Sequence, residues 1–211
     1  MSKLCNQVHL LFSSKQAVQF PFNPAKFPEN GIYVLFENGE EAHGTKRIVR
    51  VGTNAGDGHL RLRLRQHFMQ DSKDRSGFRK MIGSAILQRG NDPFLTQWEL
   101  DLITKEAKEN TSPVDVKRLA EVEKMVTEYM QKHFQLSVIE VKEKEDRVDL
   151  ESKIISTISR CEECKPSANW LGLHSPREKI RESGLWLTNE LYKTQLAQSD
   201  IQKLKTYSLI K

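Results

Sequence analysis

Two short apolar runs lie close together early in the chain: Gly31-Ile32-Tyr33-Val34-Leu35-Phe36 and, about a dozen residues on, Arg47-Ile48-Val49-Arg50-Val51-Gly52-Thr53. Both are rich in β-branched and aromatic residues, which predicts strands at 31–37 and 47–52. The polar, glycine-containing stretch between them predicts a short loop and hence an antiparallel hairpin. A third strand is predicted at 134–141, where Phe-Gln-Leu-Ser-Val-Ile-Glu-Val alternates. Elsewhere the apolar spacing is helical. Leu60, Leu64 and Phe68 predict a helix at 59–69, and Phe78, Ile82, Ala85 and Ile86 predict one from Ser76 to Arg89, ended by Gly-Asn-Asp-Pro. Ser112-Pro113, with Asp115 in the first turn, reads as the start of a helix to about His133. Leu150, Ile154, Ile155 and Ile158 place another at Arg147–Arg160 after a polar turn. Ser175-Pro176 starts a further helix, and the stretch Leu187–Leu196 suggests one more. The segment 94–103 fits either a strand or a helix.

The pattern implies a mixed α/β (α+β) fold: a small central antiparallel sheet of three strands flanked by helices, with a helical insertion before the third strand and a helical C-terminus. Residues 1–30, punctuated by Pro21, Pro24 and Pro28, read as an extended, irregular N-terminal arm. The main domain is placed at 31–187, with the insertion at about 90–133, and a C-terminal helical extension at 188–211. No repeat or low-complexity segment interrupts it.

Composition narrows the class. The 211 residues are 37% hydrophobic and 29% charged, as expected of a folded core with a solvated exterior. No apolar run is long enough to span a bilayer, and the N-terminus has no signal-peptide pattern, so no membrane partner is expected. Three cysteines, an odd number in a chain that needs no staples, favour a reducing, cytoplasmic setting. The net charge of +5 is unevenly spread: Lys46 to Arg89 holds 11 Lys and Arg against three acids, a local +8 that leaves the remainder at −3. One basic stretch on a mildly acidic protein suits a polyanionic partner. The cations and imidazole available to a nucleic acid there are Lys46, Arg47, His59, Arg61, Arg65, Arg75, Arg79 and Lys80.

Candidate chemistry then appears. Arg63 and His67 are four apart on one helix, which puts a phosphate-matching fork one turn from a group able to carry a proton. Glu151, near the start of its helix and at the rim of the apolar stripe, could be a single oxygen ligand for Mg²⁺, which uses few protein carboxylates. Taken singly, each is equally an ordinary surface residue.

Taken in order, Gly31-Ile32-Tyr33, Arg50-Val51-Gly52, Arg63, Glu151 and Asn169 resemble the GIY-YIG nuclease superfamily. His67 matches a position used in restriction-type members. Ser76–Leu87 and Asn169–Gly172 look like a bacterial subgroup. The resemblance runs from about Gly31 to Trp186, and residues 90–133 stand outside the minimal module. It implies a DNA endonuclease, restriction-like, that hydrolyses phosphodiesters with one Mg²⁺ or Mn²⁺ on Glu151. Double-stranded DNA is the implied partner, and a homodimer would suit a double-strand break. Catalysis would draw on Tyr33, Arg50, Arg63, His67, Glu151 and Asn169. The second motif departs from the family pattern, since Arg50 replaces a Tyr. A guanidinium cannot serve as a base, so Tyr33, His59 and His67 remain the possible proton acceptors.

The Cys161-Glu-Glu-Cys164 motif is one CxxC, and structural zinc needs four ligands. In the sequence His174 alone lies near, with Cys5 and His133 distant, so these thiols are expected to be free. Trp98, Trp170 and Trp186 are expected in the core.

Overall fold

The computed structural model describes residues 2–54, 56–101 and 114–209. One antiparallel sheet carries four strands, β1 (Val18–Gln19), β2 (Gly31–Ala42), β3 (Thr45–Thr53) and β4 (Phe134–Glu140), in the order β1-β4-β2-β3. The fourth strand, absent from the sequence reading, is a two-residue edge pairing Val18 with Leu136 and Gln19 with Gln135. Two residues carry too little periodicity to be read from sequence.

The helices are α1 (Ser2–Ser13), α2 (Leu60–Phe68), α3 (Gly77–Arg89), α4 (Leu95–Trp98), α5 (Val116–His133), α6 (Lys144–Ser159), α7 (Glu178–Ser183) and α8 (Gln198–Leu209). Strand alternation sorts them into two layers. Tyr33 and Leu35 face one core, shared with Leu60, Leu64, Phe78, Ile82, Val122 and Val126 of α2, α3 and α5. Ile32, Val34 and Phe36 face the other, with Cys5, Val8 and Phe12 of α1, Ile154 and Ile158 of α6, and Leu204 of α8. The sheet is thus covered on both faces, and each layer seals one set of side chains from water.

Four boundaries differ from expectation. Residues 2–13 form a helix, not an arm, because Cys5, Val8 and Phe12 recur at helical spacing and are fully buried. The hairpin is longer than predicted: its polar middle extends both strands, with a register shift between Phe36 and Glu41, and the turn shrinks to His43-Gly44, with φ of 53° and 70°, the backbone of a type I′ connection. Helix α6 starts at Lys144, three residues early. Residues 187–196 are irregular; Glu190 and Tyr192 sit at φ 63° and 59°, which a right-handed helix cannot contain.

Other expectations hold. Ser76 caps α3 by accepting a hydrogen bond from the Arg79 amide, at 3.2 Å. Trp98, Trp170 and Trp186 are buried. Asp115, expected in the first turn of α5, is instead its N-cap through the Arg118 amide, and Ser112 and Pro113 lie outside the described residues. At Gly31 a Cβ would lie 2.4 Å from the Ile139 carbonyl oxygen, so only glycine lets β4 approach there.

Candidate active site

The end of β3 and the start of α2 are joined by a loop held from the β2 side. Thr53 Oγ1 donates to the Gly31 carbonyl at 2.7 Å, and the Gly31 amide donates to Asn54 Oδ1 at 3.3 Å. Asn30 Oδ1 accepts from Asn54 Nδ2 at 2.7 Å and from the Gly58 amide at 2.8 Å. The clamp shapes a cleft of about 360 Å³, lined by Thr53, His59, Leu62, Arg63 and Gln66 among others.

Tyr33 and Gly52 are cross-strand partners on the cleft side of the sheet. A Cβ on Gly52 would lie 2.4 Å from the Tyr33 hydroxyl, so Gly52 makes room for that phenol. Alternation predicts that residues 48, 50 and 52 share a face. A register shift at Val49 breaks this: Ile48 pairs with Phe36 and faces the α1 side, whereas Arg50 pairs with Leu35 and faces the α3 side, as Gly52 does. The Arg50 guanidinium lies 4.6 Å over the Phe78 ring and donates to the Trp186 carbonyl. Its Nε is buried without a partner.

His67 turns inward from α2. It is fully buried, its Nδ1 lies 2.6 Å from Ser76 Oγ, and its Nε2 has no partner. Burial holds its pKa well below the ordinary histidine value, helped by Arg50, Arg63 and Arg79, so it is neutral. Arg63, one turn earlier, stays half-buried at the cleft wall.

Glu151 sits two turns into α6, because that helix starts early, so the helix N-terminus does not explain its placement. Burial raises its carboxyl above the ordinary value; Arg50, a backbone hydrogen bond from Thr53, and Arg63 pull the other way, while Glu190 adds to the rise. These contributions place Arg50, Arg63 and the end of β3 around one carboxylate. As a metal ligand Glu151 fits a hard cation: it is one partly exposed carboxylate held by a backbone amide, the kind of donor Mg²⁺ uses sparingly.

Not every predicted residue joins this group. Asn169 is exposed and lines a separate cleft of about 370 Å³ with Glu37, Arg89 and Tyr129. It is kept there by Glu37, whose buried carboxylate accepts the indole N–H groups of Trp170 at 2.8 Å and Trp186 at 2.9 Å. A different asparagine lies one residue from a contact to the Glu151 helix. Asn189 precedes Glu190, whose carboxylate accepts from Ser152, the neighbour of Glu151, at 2.5 Å. Its sequence signal was Thr188-Asn189-Glu190, obscured by reading that stretch as a helix.

The basic window also shrinks. Arg47 is fully buried, paired with Glu40 at 2.6 Å and 5.1 Å over Trp170. Arg79 is fully buried against Glu123 at 2.8 Å. Neither can meet a phosphate backbone: each is locked in a pair whose charges would be orphaned by leaving. Lys80 bonds the Glu99 carbonyl at 2.5 Å, Lys46 bonds Gln135 at 2.5 Å, and Arg61 is tied to Phe27 O at 2.7 Å. His59, Arg65 and Arg75 are exposed around α2.

With this strand-end geometry in place, a family model described as the GIY-YIG domain matches residues 11–207. The chain belongs to the GIY-YIG domain family. The match takes in the last turn of α1 and most of α8, elements read from sequence as an arm and an extension. GIY-YIG domains are nuclease domains that generally use divalent metals, and their substrates are nucleic acids. Searches of curated proteins and of solved structures find no match. Among the described residues of this GIY-YIG domain, no helix is long and apolar enough to cross a membrane.

Proposed function

We propose that the protein is a metal-dependent, restriction-like endonuclease that hydrolyses DNA phosphodiester bonds. The observation that carries this reading is the convergence of Arg50, Arg63 and the Thr53 backbone on the single carboxylate of Glu151, with Thr53 and Arg63 also lining the cleft. Mg²⁺ or Mn²⁺ on Glu151 would supply charge for the leaving oxygen. The remaining work belongs to side chains. Arg63 faces the non-bridging phosphoryl oxygens, where a preorganised donor helps most. Arg50, tied to Trp186 and Phe78, is a fixed cation that opposes the effect of burial on Glu151 and is not itself a phosphate clamp. Tyr33 orients the attacking water beside Gly52. His59 accepts its proton, being the imidazole that lines the cleft, whereas His67 is sealed in the core. Asn189 takes the role expected of Asn169. Arg65 and Arg75 hold the flanking backbone, and a double-strand break would take two copies.

The test is incubation of the full chain with plasmid DNA and Mg²⁺ or Mn²⁺, with and without chelator, beside a matched RNA. Metal-dependent nicking or linearisation of DNA supports the reading. Cleavage of RNA alone would move the substrate class. DNA bound but uncut with either metal would leave a nucleic-acid-binding module on the same face. Tyr33→Phe and His59→Ala should each lower the rate about 10²-fold, and His67→Ala should act through stability instead.

A further inference from the structure

On the sheet face opposite Tyr33, three segments far apart in sequence converge. Cys5 comes from α1, His43 from the β2–β3 turn, and Cys161 and Cys164 from the single turn after α6. Their ligand atoms all lie within 4.8 Å of one another. His43 Nε2 is 3.4 Å from Cys161 Sγ and 3.5 Å from Cys164 Sγ, and Cys5 Sγ is 3.4 Å from Cys164 Sγ. We propose that Cys5, His43, Cys161 and Cys164 bind one Zn²⁺ in a closed structural site.

The spacing fits the ion. Zinc–sulfur bonds of about 2.3 Å and zinc–nitrogen bonds of about 2.0–2.1 Å, set tetrahedrally, give edges of about 3.8 Å between sulfurs and about 3.6 Å between sulfur and nitrogen. These three edges are a little shorter, the rest lie within 4.8 Å, and all the cysteines are free, so small shifts would seat the metal. His43 is already oriented as a ligand. Its Nδ1 lies 3.2 Å from Glu163 Oε2, so the carboxylate accepts a hydrogen bond from Nδ1–H and the Nε2 lone pair faces the thiols. A carboxylate behind a metal-bound imidazole is the usual supporting partner. The two-residue turn, with His43 itself at positive φ, holds the ring there.

His9 borders the cluster and is excluded by its hydrogen bonds. Its Nδ1 donates to the Cys5 carbonyl at 3.0 Å, and its Nε2 accepts from the Ile48 amide at 3.2 Å, so no lone pair is left. Four ligands and no open position make the site structural rather than catalytic, and the soft thiolates favour zinc over the hard ions suited to Glu151. The metal would pin α1 and the C-terminal end of α6 to the hairpin that carries Tyr33 and Arg50.

The test uses the full chain, purified under reductant without chelator. Metal analysis should find one zinc per chain. Stripped protein titrated with Co²⁺ should develop the intense visible bands of a tetrahedral site and a thiolate charge-transfer band. Cys161→Ser and Cys164→Ser should each abolish stoichiometric zinc. Should those variants fold poorly, His43→Cys should keep one zinc per chain and shift the Co²⁺ spectrum. Glu151→Gln should retain full zinc; its loss there would place the ion in the cleft and overturn the proposal. So would wild-type protein without stoichiometric zinc or a tetrahedral Co²⁺ spectrum, or a Cys5–Cys164 disulfide in intact chain from a reducing cytoplasm. Failure to cut DNA leaves this result unaffected, and the reverse also holds.

Discussion

The two ends of one hairpin are suited to opposite metal chemistries. At its Gly31–Gly52 end, two guanidiniums act on a single partly exposed carboxylate, and one of them, Arg63, lines an open cleft. At its turn end, three thiols and an imidazole close on one another with nothing facing solvent except the rim around Cys161 and His43. The first arrangement leaves coordination positions for water and phosphate. The second fills them all. Openness and donor softness, not the number of ionisable groups, separate a site for chemistry from a staple.

The strongest way to sharpen that contrast is Glu151→Gln. It should lower metal-dependent cleavage by about 10³-fold, since a bound cation is worth several kcal/mol to a charged transition state. It should leave DNA binding, and zinc, in place, which filter binding and metal analysis would check. Cutting at the wild-type rate would remove the metal from this end of the hairpin. Arg47→Ala should do the reverse, costing about 3–5 kcal/mol of stability because Glu40 loses its buried partner, read by denaturant titration. The slope of DNA affinity against salt should not change. Arg63→Ala should lower cleavage by about 10²-fold with an unchanged melting temperature, in single-turnover assays.

Smaller effects follow from charge. Arg65→Ala and Arg75→Ala should each weaken DNA binding modestly and reduce the log–log salt slope by about 1. His67 gives a pH signature. Its folded pKa is depressed, so the unfolded chain takes up a proton that the folded one refuses. Its contribution is complete above the ordinary value near pH ~6.5 and is lost as pH falls from there toward the folded value. Wild type should therefore lose melting temperature on acidification through that window. A folded His67→Gln should lose less, and an identical pH dependence in both would show that His67 is not the group.

Legibility from sequence followed the range of the interactions. Strands 31–37, 47–52 and 134–141 and the helices carrying Arg63 and Phe78 were readable, because their apolar periods repeat over several turns or pleats. The ordered GIY, RVG, Arg and Glu set was readable too, since each member sits on such an element. That Asn169 lines a separate cleft was not legible, because its position depends on Glu37 gripping Trp170 and Trp186, contacts more than a hundred residues long. Arg47 and Arg79 counted as surface charge because their partners, Glu40 and Glu123, are recognised only once the chain has folded.

The sequence by itself determined the mixed α/β class, the central hairpin, the basic stretch and the family's ordered residues, since local periodicity and residue chemistry are properties of neighbours along the chain. Only tertiary structure decided which cations are exposed, that β3 bulges at Val49 so that Arg50 and Ile48 face apart, and that α1 folds back on the sheet. It alone decided that Cys5 and His43 complete the CxxC turn. Burial, ion pairing and metal geometry depend on distances in space, and residues 5, 43 and 161–164 become neighbours only when α1 and the end of α6 pack on the same face of the sheet.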